Sequence, residues 1–128
     1  MPDDLPLVTG EVWVSPRVSA FREATLRVRL EETGRADARA RVVAEAVVPG
    51  VSHSPQEGRR ARIPFALRGS QGTHIVDPRG RYTVRAWFEG GERTGPAGYL
   101  GSDRAYPVLT HGFGSHVIVR IERAGEGS

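Results

Sequence analysis

The sequence predicts an all-β protein, a single antiparallel β-sandwich of the immunoglobulin or transthyretin-like kind with about seven to eight strands. Three observations predict it. Apolar residues recur at every second position in several short runs, Gly, Pro, Asp and Ser separate those runs, and no stretch keeps a helical apolar period over three turns. Length agrees, since 128 residues suffice for one shared core and not for two. With 38% apolar and 26% charged residues the chain lies outside the compositions of disordered and membrane-spanning proteins.

The clearest element is the turn and strand from His74 to Glu89. Pro78 fixes φ and Gly80 can take positive φ, so Asp77 to Gly80 reads as a turn. From there Tyr82, Val84, Ala86 and Phe88 face one way, and Arg81, Thr83, Arg85, Trp87 and Glu89 face the other. Asp, Gly and Tyr at the start of a strand have the arrangement of a tyrosine corner, in which the phenol packs inward and its hydroxyl bonds to upstream backbone.

Residues 1–7 are expected to form a flexible tail, 8–123 the sandwich domain and 124–128 a second tail. Val8 to Val14 is the first strand, with Val8, Gly10, Val12 and Val14 on one face and Glu11 and Trp13 on the other. A second strand runs from Ala24 to Glu31, with Leu26, Val28 and Leu30 inward. Glu32 to Arg39 reads as a polar connection with room for a short helical turn. Arg41 to Val48 is a third strand, placing Val42, Ala44, Ala46 and Val48 together and Val43 and Val47 opposite; Pro49 to Gly58 is a long loop. Arg60 to Arg68 follows, with Ile63, Phe65 and Leu67 inward and Pro64 marking a sheet edge, since proline cannot donate to a ladder. Gly69 to Thr73 is a loop, and after the organising strand Gly90-Gly91 suggests a hairpin turn. Ala105 to Thr110 is a short edge strand around Pro107, and Ser115 to Glu122 closes the set with Val117, Val119 and Ile121 inward.

Composition removes several chemistries. Cysteine is absent, which excludes disulfides, thiolate metal sites and a Cys nucleophile. All 18 basic residues are arginine, so lysine-dependent Schiff-base and P-loop mechanisms are excluded. The net charge of +3 is too small to make nucleic acid the expected partner. No apolar run approaches the roughly 18 residues that span a bilayer, so membrane insertion is not expected. His53, His74, His111 and His116 form no His-x-x-x-His pair; a metal or other cofactor is not expected, and surface or half-buried positions suit these side chains. There is no Gly-x-Ser-x-Gly elbow, and catalytic residues are not assigned.

The candidate site residues are therefore for binding. Trp13, Trp87, Arg85 and Ile118 lie on outward faces by alternation, and Arg59, Arg60 and Arg62 form the densest positive cluster. Two arrangements fit the tryptophans: the Gly90 to Ser102 segment or the N-terminal tail folds over them, or they form an open patch for a partner. The arginine cluster reads as a solvated guard on a sheet edge, or as a surface for an acidic partner or nucleic-acid phosphate, though no aromatic platforms are interleaved with it. Asp77, Pro78, Gly80 and Tyr82 are turn and corner residues.

Five blocks carry a family resemblance: Glu23-Ala-Thr-Leu-Arg-Val-Arg-Leu-Glu-Glu, Arg35-Ala-Asp-Ala, Arg62-Ile-Pro-Phe-Ala-Leu, Ile75-Val-Asp-Pro-Arg-Gly-Arg-Tyr-Thr-Val-Arg-Ala and Asp103-Arg-Ala-Tyr-Pro-Val-Leu-Thr. In that order, between about Gly10 and Ile121, they resemble the YbaY/YscW-type family of type III secretion lipoprotein chaperones. The resemblance implies a compact β-sandwich without enzymatic activity, and a pilotin-like role in which a protein partner, a secretin, is bound and guided to the outer membrane. The matching blocks are framework, so no catalytic residue is carried over. Family lipoproteins have a leader ending in a lipid-bearing cysteine, which this sequence does not contain. The expected location is thus cytoplasmic for the chain as given, and periplasmic or outer-membrane associated if a leader was removed. The chain thus reads as a binding module that takes a protein segment on a sheet edge, such as the Pro64 or Pro107 strand, or on an outer face, with Trp13 and Trp87 as anchors; the alternative is a structural or self-associating envelope-type domain with no specific ligand.

Overall fold

The computed structural model describes residues 6–33, 41–55, 61–68, 76–93, 100–102 and 104–122. The expected tail at 124–128, the helical turn between 34 and 39, the 69–73 loop, and Arg59, Arg60, His74 and Asp103 lie outside these residues. Eight strands follow in order: β1 (Val8–Val14), β2 (Phe21–Thr33), β3 (Arg41–His53), β4 (Ala61–Leu67), β5 (Arg81–Glu89), β6 (Glu92–Arg93), β7 (Tyr106–Val108) and β8 (His116–Ile121). They form a three-stranded sheet in the order β4-β1-β8 and a five-stranded sheet in the order β3-β2-β5-β7, with β6 also on β2. The all-β sandwich is as the alternation predicts. All pairings are antiparallel except β1 with β8, which run parallel from Thr9↔His116 to Val14↔Ile121.

The core lies between the sheets. Val8, Val12, Val14, Leu26, Val28, Leu30, Leu67, Val84, Ala86, Val119 and Ile121 are fully buried, each on the face its spacing assigns. Leu7 extends the β1–β4 pairing by donating its N–H to Leu67 O at 2.7 Å.

Three features depart from simple alternation. In β3, the register passes from Leu30↔Ala44 to Glu31↔Val42, leaving Val43 as an extra, bulged residue. Val43 and Ala44 therefore both turn inward, at 7% and 6% exposure, whereas Val42, expected inside, is 50% exposed. β3 also continues through Pro49 and Gly50 to His53, where a loop was expected. A second irregularity there lets it: Gly50 takes φ 69° and the register shifts between Ala24 and Leu26. Finally, Gly90-Gly91 makes no hairpin. β6 holds the same register on β2 as β5 does, from Thr25↔Glu89 to Arg22↔Glu92, so the two glycines are a kink in one continuous edge. Gly91 has φ 78°, and a Cβ there would meet Arg22 O at 2.6 Å, so only glycine fits.

Each open edge carries an obstacle to further pairing. Pro64 lies in β4 and Pro107 in β7, both exposed edge strands as their prolines predict, and Pro49 lies in β3 where the register on β2 shifts. On β8 the Arg120 N–H is taken by the Tyr106 hydroxyl at 3.1 Å.

Candidate protein-binding faces

The tyrosine corner anchors the start of β5. Tyr82 is 1% exposed, and its hydroxyl accepts the Asp77 N–H at 2.9 Å while donating to Glu32 Oε2 at 3.2 Å. Burial pushes the phenol pKa above its ordinary value, against the favourable Asp77 amide contact. Asp77 O accepts the Gly80 N–H and Asp77 Oδ1 accepts the Arg79 N–H, each at 2.9 Å, closing the turn around an exposed Pro78. Gly80 does not take the positive φ expected of it. Close approach favours it instead, because a Cβ would lie 2.8 Å from Glu32 Oε2 and 3.1 Å from the Tyr82 ring and would displace the buried carboxylate. Glu32, expected in a connection, is the penultimate residue of β2, a buried carboxylate whose Oε1 pairs with Arg41 at 3.0 Å.

The predicted binding residues divide between opposite sides of the molecule. Trp13 stands on the outer face of the three-stranded sheet, directly across from Arg62 on β4 and Arg120 on β8. Their guanidinium carbons lie 4.5 Å and 5.4 Å from the indole ring centre, and the indole N–H donates to Glu11 Oε1 at 2.7 Å. Ile118 is half-buried on the same face, opposite Glu11. Arg62 and Arg120 form no salt bridge with a described residue.

Trp87 and Arg85 belong to the outer face of the five-stranded sheet, where the charges are paired. Arg27 bridges Glu89 at 2.6 Å and Glu45 at 3.5 Å, Arg29 reaches Glu45 at 2.8 Å, and Arg85 reaches Glu31 at 3.1 Å. Arg29 covers the Trp87 ring at 4.9 Å, and the indole N–H donates to Glu89 Oε2 at 2.8 Å. That indole bond, with Arg27, lowers the Glu89 pKa, and Glu89 in turn raises that of Arg27. Gly101 forms a bridge opposite Trp87. The tryptophans thus make no common patch: each is half-buried and flanked by arginine, on its own sheet.

Sequence reasoning missed the Glu-x-Trp and Trp-x-Glu pairs, although a spacing of two places both members on one strand face. It also missed His53, which is 4% exposed, donates from Nε2 to Val18 O at 3.0 Å and lies 5.5 Å from the Phe21 ring. The unforeseen length of β3 carries it inside. Among the described residues no group of three or more His, Asp or Glu side chains is placed to hold a metal.

Two packed sheets, a tyrosine corner and outer faces built from aromatic and charged side chains define a small all-β sandwich. The chain belongs to the type III secretion system lipoprotein chaperone (YscW) family, whose model matches residues 3–121. Its fold is shared with an alternative pilotin from the type II secretion system of Vibrio cholerae, at 23% identity and a TM-score of 0.67, covering 94% of this chain and 96% of that one. Among curated proteins, none matches the chain.

Proposed function

We propose that this protein is a non-catalytic binding module that holds a segment of a secretion-system partner, in the manner of a pilotin, on the outer face of its three-stranded sheet. The carrying observation is the Trp13 cluster: an indole between Arg62 and Arg120, with Ile118 beside it and no carboxylate bridged to either arginine among the described residues. Such a face suits an acidic segment with an apolar anchor, because unpaired guanidinium forks and a flat ring supply both contacts. The Trp87 face has its charges neutralised internally and offers less. The proline-bearing edges argue against strand addition, so the face is favoured over the edge. Family membership supports a chaperone role, with a secretin as the fitting partner and the cell envelope as the fitting location.

Titration calorimetry against a secretin from the same genome, and against overlapping segments of it, tests this. Trp13→Ala and Arg120→Gln should each weaken binding at least tenfold while Trp87→Ala changes it less than twofold. Unchanged affinity in Trp13→Ala, or no binding by the parent protein, would refute the face assignment. A second reading, self-association, is favoured by Val42 and Val47, 50% and 49% exposed on the edge strand β3. Sedimentation over a hundredfold concentration range decides it, a constant monomer mass ending that reading.

A further inference from the structure

The two outer faces carry one small device built twice. On β1 the Trp13 indole N–H donates to Glu11 Oε1 at 2.7 Å, and on β5 the Trp87 indole N–H donates to Glu89 Oε2 at 2.8 Å. In each pair the residues are two apart, so ring and carboxylate leave the strand on one side, and arginine from a neighbouring strand lies over the ring. The devices differ in what else the carboxylate does. Glu89 also takes the Arg27 guanidinium at 2.6 Å, whereas Glu11 forms no salt bridge with a described residue. Register accounts for the difference. The neighbours of Glu11 across both ladders are Pro64 and Ile118, which have no side-chain donor, and Arg62 and Arg120 stand in the next row of the face, opposite Trp13.

Tethered at its N–H, the Trp13 ring stands between the exposed Arg62 and Arg120, whose guanidinium carbons are 4.5 Å and 5.4 Å from its centre. A cation held over a π face keeps its N–H donors for another partner. β4 and β8 flank β1, so the two arginines start two strand spacings apart, about 10 Å. From this we infer that Glu11 positions Trp13 as the partition of a two-forked site, whose occupant is an internal protein segment with two carboxylates flanking one apolar side chain. The inference rests on the Trp13 face being the binding face, and adds what that face reads. One carboxylate pairs with Arg62 and the other with Arg120, while the apolar side chain covers Trp13 and Ile118. In an extended segment the pattern is acid-x-apolar-x-acid. Alternate side chains share a side, and the outer two are about 13 Å apart, which two Glu side chains leaning inward bring onto the arginines. Such a segment crosses the strands along the row Arg62-Trp13-Arg120, so it needs no main-chain pairing with the edges that hold Pro64 and Pro107. Were Glu11 only a counter-charge for the arginines, its carboxylate would bridge one of them, as Glu89 bridges Arg27; it holds the indole instead.

The probe is the blocked peptide acetyl-Glu-Ser-Leu-Ser-Glu-amide, titrated into the full chain while the two indole N–H resonances are followed. Its comparators replace the first Glu by Gln, or the Leu by Ser, and a further probe is vesicles of phosphatidylglycerol. The expected result is a saturable shift of the Trp13 resonance and not of Trp87, with affinity about tenfold weaker for the single-acid peptide and about threefold weaker for the leucine-free one. Glu11→Gln retains an oxygen for the indole N–H and loses a like charge, so it should bind the peptide at least as tightly as the parent. Glu11→Ala releases the ring, and should bind about fivefold more weakly with a displaced Trp13 resonance before any peptide is added. Glu89→Gln, on the other face, should change affinity less than twofold. Equal affinity for one-acid and two-acid peptides, equal binding by Glu11→Gln and Glu11→Ala, no saturable shift, or vesicles binding through Trp13 where the peptide does not would each overturn the inference. Its failure is distinguishable from that of the function proposed above: if Trp13→Ala still weakens capture of the secretin, the face assignment stands and only the reading of its occupant falls.

Discussion

Single side chains set the local geometry. The Tyr82 hydroxyl serves one backbone donor and one buried carboxylate, so Tyr82→Phe leaves the Asp77 N–H and Glu32 Oε2 short of a partner. The expected loss is about 1–3 kcal/mol in denaturant unfolding with the slope unchanged. Asp, Gly and Tyr at this spacing announced the corner in the sequence. The reason for Gly80 was not legible there, because only the folded chain brings Glu32 against it. His53 makes a pH prediction. Burial lowers its pKa from 6.5, so the unfolded chain takes up the proton first and stability falls as pH drops below 6.5. Unfolding midpoints should be level from pH 7 to 8 and decline between roughly 6.5 and 5, and His53→Gln should flatten that decline. The Glu89 carboxylate, whose pKa is also lowered, belongs to a separate window below 4.5.

At the scale of elements, period-two alternation located β1, β4, β5 and β8 because each has one wet and one dry face. It failed in β3, where bulged residues reset the period and sequence spacing alone cannot show how many residues a partner strand leaves unpaired. It also misread Gly90-Gly91, since the same dipeptide serves a hairpin or a kink and the choice is made by distant β2. Gly91→Ala should therefore destabilise by about 1–3 kcal/mol, through positive φ and a clash with Arg22 O, while Gly90→Ala, with open space around its Cβ position, costs less. Unfolding of the two variants side by side checks this order.

For the whole molecule, the sandwich and its two outer faces followed from the sequence, and the division of the candidate residues between those faces did not. Alternation says which residues point out, but strand order decides on which side of the molecule they emerge. Half-buried under their arginines, both tryptophans should show partial iodide quenching, with a quenching constant between those of free indole and a core tryptophan. Trp87→Phe and Trp13→Phe single-tryptophan proteins read each face separately. The borders of the two sheets have a consequence for handling. Interrupted at three margins by proline and at the fourth by a tyrosine hydroxyl, the chain has few places where a second copy could begin to stack, and it should resist fibril growth when concentrated. Replacing Pro64 and Pro107 by valine should keep the fold and shorten the lag before thioflavin-positive aggregates form, which would show that the imino acids, and not the strands' composition, keep these margins closed.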